Sequence, residues 1–206
     1  MKRRQVSLNF PLRFAVLFLA ALAVLPSVSR AQAVPVFKIT PIESSIKFNV
    51  KASVPIDGVF DKWAATLTYP STDVTTGVLD VKIQADSVNT GSGMKDGKLK
   101  GKDFFDAEHD PYITFKSTKI IQTGPNTFEL DGDFTIRGVT KPEKLTLTVT
   151  GTKGSGEGVI EGTMAFDRKD YGMNSGIPFI KIADRVEVTV ALKVKRTSGP
   201  PVNIKQ

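Results

Sequence analysis

The 206-residue chain has no cysteine, one histidine and one tryptophan. The missing thiols exclude a disulfide framework, a thiol nucleophile and a zinc–thiolate centre. The single histidine, His109, is the one imidazole on which any acid–base or metal chemistry would depend. It sits in the polar stretch Ala107-Glu108-His109-Asp110-Pro111. No second histidine completes a metal site, and no Gly-x-Ser-x-Gly elbow accompanies it. That stretch reads as a surface turn. Also missing is any apolar run of the roughly 20 residues a spanning helix needs.

Acidic residues are absent before Glu43, whereas Lys2, Arg3, Arg4 and Arg13 are basic. An apolar run from Phe14 to Leu25 follows, Pro26 ends it, and Ala31-Gln32-Ala33 supplies small residues at the right spacing. These are the three parts of a secretory signal peptide, with cleavage expected after Ala33. The expected product is an exported protein, periplasmic or extracellular, running from residue 34. Five of the 28 basic residues and none of the 21 acidic ones lie in the first 33, leaving 23 against 21, or +2. The high overall pI therefore gives no ground for a nucleic-acid partner.

Beyond residue 34 the dominant signal is period two. Ile46, Phe48 and Val50 alternate with polar neighbours, as do Trp63, Ala65, Leu67 and Tyr69, and Leu79, Val81, Ile83 and Ala85. The same holds for Phe128 to Ile136, Leu145 to Val149, Ile160 to Phe166 and Val186 to Val194. Successive side chains on a strand point to opposite faces, so each run has one apolar and one polar face. Phe37–Thr40 and Ile113–Ile121 complete about eight strands. Turn-forming clusters separate them at 54–58, 70–73, 124–126 and 151–158. Such a succession predicts an all-β barrel or sandwich over 34–196, and full closure into a barrel removes the exposed edges. Residues 93–100 have helical spacing, 171–182 form an irregular glycine-rich segment, and 197–206 read as a flexible tail.

Alternation does not say which face is inside. Several strands are shorter than a membrane barrel requires, and no paired aromatic girdles are evident. The polar faces mix Lys, Asp, Glu and Thr, which suits a solvated surface. The apolar faces are thus assigned to the lumen. Small residues there (Ala65, Ala85, Gly132, Gly162) leave room for a ligand, although a lumen filled by side chains fits the pattern equally well.

Several motifs, in order, carry a family resemblance: Ser45-Ile46-Lys47-Phe48, Asp86-Ser87-Val88-Asn89-Thr90, Leu99-Lys100-Gly101-Lys102-Asp103-Phe104-Phe105-Asp106, Asp110-Pro111-Tyr112-Ile113-Thr114-Phe115, Gly132-Asp133-Phe134-Thr135-Ile136-Arg137-Gly138-Val139-Thr140, and Arg168-Lys169-Asp170-Tyr171-Gly172. The chain resembles the YceI-like, lipocalin-like exported proteins from about Phe37 to Val194. The resemblance implies an extended eight-stranded antiparallel barrel with a helical element and an apolar pore. It implies a non-catalytic carrier of a polyisoprenoid, an isoprenoid quinone or a fatty-acid-like amphiphile, with no other cofactor. Such a carrier touches a membrane transiently and works as a monomer or homodimer.

On this reading the pore lining comprises Phe48, Val50, Trp63, Ala65, Leu67, Ile83, Phe115, Phe134, Ile136, Met164, Phe166, Phe179, Val188 and Val190. Arg168 is in phase with the apolar face that ends at Phe166. A buried arginine must be paired, and Asp170, in phase with it, is the expected partner. The pair either holds a ligand head group beside Tyr171 or closes the barrel end as a structural ion pair. Two rival functions are a lipid-modifying enzyme using Arg168 and Asp170, and a structural or inhibitory barrel with a filled core.

Overall fold

A computed structural model describes residues 33–151, 156–176 and 179–204. The expected signal peptide, the tip of the Gly154–Gly158 loop and Ile177 lie outside the described residues. The described chain forms β1 (Val36–Ala52), β2 (Ile56–Phe60), β3 (Trp63–Thr68), β4 (Val78–Gln84), β5 (Val88–Asn89), helix α1 (Gly93–Lys100), β6 (Tyr112–Gln122), β7 (Thr127–Ile136), β8 (Val139–Gly151), β9 (Glu157–Asp167) and β10 (Ile182–Ser198). Every alternating run became a strand. The strands are antiparallel, and the sheet closes where β1 pairs β10, from Val36↔Ser198 to Ala52↔Ile182. Closure leaves no long unpaired edge.

Ten strands make eight staves. β1 pairs β2 at one end (Val50↔Ile56) and β3 at the other (Val36↔Thr68), so β2 and β3 are one stave bent at Asp61-Lys62. Next to it, β2 pairs β5 and β3 pairs β4, so β4 and β5 are also one stave, broken by a 3-10 turn at Ala85–Ser87. This explains a difference from the sequence reading, which places a turn over Val54–Gly58. Its second half, Ile56–Gly58, is strand, because Ile56 and Gly58 pair with Val50 and Phe48.

The two strands expected at Phe37–Thr40 and Ile46–Val50 are one strand, β1, with an irregularity between them. Glu43 has φ 63° there. Ser44 Oγ holds the bulge together: it donates to the Thr40 carbonyl at 2.5 Å and accepts from the Lys193 amide at 2.8 Å. The β7–β8 hairpin turns on Arg137-Gly138, both at positive φ (53° and 69°), with Ile136↔Val139 as the closing pair. That is the two-residue geometry whose twist matches the strands.

The expected flexible tail differs as well. β10 continues to Ser198, and the chain then crosses the barrel end. Gly199 makes the crossing at φ 77°, with the Val34 carbonyl so close that no Cβ would fit. The Asn203 amide donates to the Thr72 carbonyl at 2.6 Å, its Nδ2 to Thr72 Oγ1 at 3.1 Å, and Val202 and Ile204 turn inward. Packing two apolar side chains against the core offsets the tail's lost freedom.

Candidate functional site

The apolar faces point into the barrel and form one continuous core. Among the described residues, side chains fill much of the lumen and leave two largely apolar cavities stacked along it. The upper, about 70 Å³, is bounded by Ile46, Phe48, Val50, Ile56, Phe60, Ile83, Leu99, Phe104, Phe105, Ile113, Phe134, Ile136, Phe166, Arg168, Met173, Ile182, Val186 and Val188. The lower, about 80 Å³, is bounded by Phe37, Leu67, Tyr69, Val74, Leu79, Ile120, Phe128, Leu130, Leu147, Val149, Ile160, Val194, Val202 and Ile204. For scale, a cavity of roughly 150 Å³ admits benzene.

The layer between the cavities is built by Val81, Phe115, Leu145 and Met164, which are buried but line neither. Strand pairing fixes their level. Phe115 pairs with Val81 and Phe134, one step along from Ile113 toward the lower end. The glycines that the sequence reading takes as room for a ligand are already filled. A Cβ at Gly132 would meet the Phe115 ring at 2.5 Å. One at Gly162 would meet Leu147 at 2.4 Å and Val190 at 2.8 Å. These glycines accept a neighbour's bulk, so the partition consists of side chains.

The upper end is closed by irregular segments. Asp96 on α1 accepts from the Thr90 amide (2.8 Å) and hydroxyl (2.7 Å), which fastens the helix beside β5. Those hydrogen bonds also hold its carboxyl below the usual range. Leu99 tucks inward, and the Phe105 amide reaches back to the Leu99 carbonyl at 2.9 Å. Phe105 then packs on Phe60 and Phe48, with ring centroids 5.8 and 6.3 Å away. Such offset and edge arrangements suit aromatic quadrupoles.

Arg168 closes the opposite side of the same end. It is 7 % exposed. Its Nε donates to the Ala183 carbonyl at 3.2 Å, Nη1 to the Ser175 carbonyl at 3.0 Å and also to the Met173 carbonyl, and Nη2 to Asp184 Oδ1 at 3.1 Å. Asp184 also takes Lys169 at 2.8 Å, and this ion pair holds its carboxyl below the usual range. The expected partner, Asp170, instead faces Lys141 at 3.7 Å. A 3-10 turn at Arg168–Tyr171 breaks the period-two phase that would have kept Asp170 beside Arg168. The guanidinium therefore ties the 168–184 segment down and presents its stem to the cavity. Arg137 adds a second tie, donating to the Gly172 carbonyl.

Tyr171 has no exposed surface and lies in the core against Phe134 and Phe166, at 5.5 and 5.2 Å. Its hydroxyl donates to Glu143 at 2.9 Å on the outer side of the cavity wall. Burial, then that carboxylate, pushes its pKa well up. It is a wall residue and lines neither cavity.

Of the residues assigned to the pore from sequence, Phe48, Val50, Ile83, Phe134, Ile136, Phe166 and Val188 bound the upper cavity, and Leu67 bounds the lower. Phe115 and Met164 belong to the partition. Trp63, Ala65 and Val190 are half-buried against the core without bounding either cavity. Phe179 is the plain correction: it is fully exposed, at φ 65° in the segment before β10. An apolar residue in a segment without period carries no face assignment.

Ile46, Ile113 and Val186 also bound the upper cavity, each in phase with an assigned neighbour. Leu99, Phe104, Phe105 and Met173 bound it too, but enter from aperiodic segments, where period two assigns no face. His109 is on an exposed turn, with Nδ1 2.8 Å from Asp106 Oδ1, a contact that raises its pKa.

A closed eight-stranded barrel with an apolar lumen belongs to the class that either fills with side chains or encloses one ligand. A family model for the YceI-like domain matches residues 37–194, and the chain belongs to that family. A curated relative, a UPF0312 protein of Pseudomonas savastanoi, is 28 % identical over 133 residues, spanning 63 % of this chain and 69 % of the relative. The structure of Burkholderia cenocepacia BcnA superposes with a TM-score of 0.69 at 24 % identity, covering 76 % of this chain and 99 % of that one. A polyisoprenoid binding domain from Saccharophagus degradans gives 0.62 at 15 % identity, covering 79 % and 99 %. At these identities the two structures establish the shared fold.

Proposed function

We propose that this barrel is an exported, periplasmic binding protein that takes one long apolar chain, such as a polyisoprenoid or isoprenoid quinone, along its lumen without catalysing a reaction on it. The observation that carries the reading is the stacking of two predominantly apolar cavities end to end, separated by rotatable side chains. If Phe115, Leu145 and Met164 swing aside, the two become one channel. Each CH₂ moved from water into it contributes about 0.8 kcal/mol, so a long chain offsets the cost of reordering three side chains. The YceI-like family and the name of the Saccharophagus degradans domain support the same ligand class.

A filled barrel with a structural role is the second reading, favoured by the small volume of each cavity. Solvent extraction of the exported protein followed by mass spectrometry separates the two. A co-purified isoprenoid, or stoichiometric uptake of added quinone read from the single tryptophan, Trp63, is the expected result. No co-purified lipid and no uptake would leave the filled barrel standing. Sequencing the N-terminus of the exported protein tests the export step, with Val34 expected first.

A further inference from the structure

Three apolar side chains stand exposed on segments at the upper end of the barrel: Val54 (49 %), Met94 (88 %) and Phe179. Isolated exposed apolar residues are ordinary, but these are on three segments that the fold draws together. Lys95 Nζ donates to the Pro55 carbonyl at 3.3 Å, joining α1 to the turn after β1. The Ser53 amide donates to the Lys181 carbonyl at 3.0 Å, and the Lys181 amide to Ser53 Oγ at 3.1 Å, joining that turn to Phe179–Lys181. Val54, Lys95, Lys98 and Ile180 surround a small crevice of about 50 Å³. Its inner wall is Ile56 and Leu99, which also bound the upper cavity.

The charge on these segments is one-sided. Residues 51–57, 93–103 and 179–182 carry six lysines against three acids, with no arginine or glutamate. The acids are already engaged: Asp57 accepts from Asn49, Asp96 from Thr90, and Asp103 from Lys98 at 2.6 Å. Lys51, Lys95 and Lys181 make no ion pair among the described residues.

We propose that this rim is a docking face for an anionic phospholipid bilayer. Phe179, Met94 and Val54 enter the headgroup boundary, and Lys51, Lys95 and Lys181, without an ion pair among the described residues, meet the lipid phosphates. Exposed apolar residues flanked by lysines are the combination that binds the interface of such membranes. Docking in this orientation sets the Ile56–Leu99 wall against the lipid, so an apolar chain passes between bilayer and barrel without crossing water. The inference goes beyond ligand binding and does not depend on it, since vesicle association is measured on protein without added ligand.

The test is sedimentation of the exported protein with vesicles of phosphatidylcholine containing 30 % phosphatidylglycerol, against phosphatidylcholine alone. Binding to the anionic vesicles, lost at 0.5 M salt, is expected. Exchanging Lys95 and Lys181 for Gln should weaken it roughly 25-fold, at about fivefold per lysine near the surface. The triple change Val54→Ser, Met94→Ser, Phe179→Ser should weaken it at least tenfold while leaving the melting temperature within about 2 °C, since all three side chains are exposed. No binding to anionic vesicles would overturn the proposal. Equal binding by wild type and both variants would do the same, whatever the outcome of quinone uptake.

Discussion

The two ends of the barrel hold cavities of nearly equal volume and largely apolar lining, yet they are closed by different means. At the upper end, Arg168 makes four hydrogen bonds to the segment it secures, and Phe48, Phe60 and Phe105 interlock over the opening. At the lower end, among the described residues, a short segment crosses the opening with a parallel bridge, Asp73↔Asn203, hydrogen bonds from Asn203 to Thr72, and the partly buried Val202 and Ile204. Equal cavities do not imply equal access. The upper closure is a built part of the fold, whereas the lower is a strap laid over a finished barrel.

The largest expected effect comes from removing the partition that makes the comparison possible. Phe115→Ala deletes a buried ring that fills the space over Gly132. It should cost about 4 kcal/mol of stability, the usual penalty for a large-to-small change at a packed site. The same change joins the cavities. Chemical denaturation reads the first effect and uptake of a long-chain quinone the second. A loss under 1 kcal/mol would mean that the ring does not bear on the core as its contacts indicate.

Arg168→Met tests the upper closure. It strips partners from three backbone carbonyls and leaves Asp184 with Lys169 alone. The expected loss is about 3 kcal/mol, because buried acceptors are left unsatisfied. That corresponds to a fall of roughly 6–12 °C in melting temperature. If stability holds and ligand affinity collapses instead, Arg168 is a head-group contact and not a clamp.

How far these closures could be foreseen depends on periodicity. The staves were readable because a strand between core and water must alternate, and Leu79–Val81–Ile83 or Phe128–Leu130–Gly132–Phe134 can do so on one face alone. The ends were not readable for the same reason in reverse. Phe105, Leu99 and Met173 arrive through turns and a helix, where neighbours in sequence are not neighbours on a face. Phe179 and Phe105 look alike in sequence, and one is fully exposed while the other is buried. Arg168 was identifiable as a buried charge from its phase. Its partner was not, because a 3-10 turn follows it directly and the acid that reaches it, Asp184, lies 16 residues on. The glycines misled in a different way. Alternation shows that Gly132 and Gly162 face inward, but the side chains opposite decide whether their space is empty.

Stability compared at neutral and alkaline pH distinguishes the ends through their tyrosines. Tyr69 bounds the lower cavity, and burial pushes its pKa up to about 12. A tyrosine raised in the folded state leaves stability intact below its unfolded pKa near 10, and lowers it as pH climbs from there toward the folded value. Between pH 9 and pH 11.5 this one group should remove about 2 kcal/mol. Tyr69→Phe should recover that amount in denaturation measured at the two pH values. Tyr171→Phe should likewise recover stability at pH 11.5, since its hydroxyl is also pushed well up, but should lose about 1 kcal/mol at pH 7, the worth of its hydrogen bond to Glu143. Equal behaviour of the two variants at both pH values would refute the distinction.

A small loss of stability is expected at the strap. Ending the chain at Ser198 removes Val202 and Ile204 from the lower cavity, the bridge to Asp73, and the Arg196 hydrogen bond to the Gly199 carbonyl. Both apolar side chains are only partly buried, so the stability lost should be about 1–2 kcal/mol. The barrel is closed by β1 and β10 without them. Access should change far more than stability. An environment-sensitive apolar dye should enter the lower cavity in the shortened chain and stay out of the full one, with an unchanged far-ultraviolet spectrum. Equal dye uptake by the two chains would show that the strap does not seal the lower end. Loss of the folded spectrum would show that the strap belongs to the fold as firmly as Arg168 does, and the contrast between the two ends would disappear.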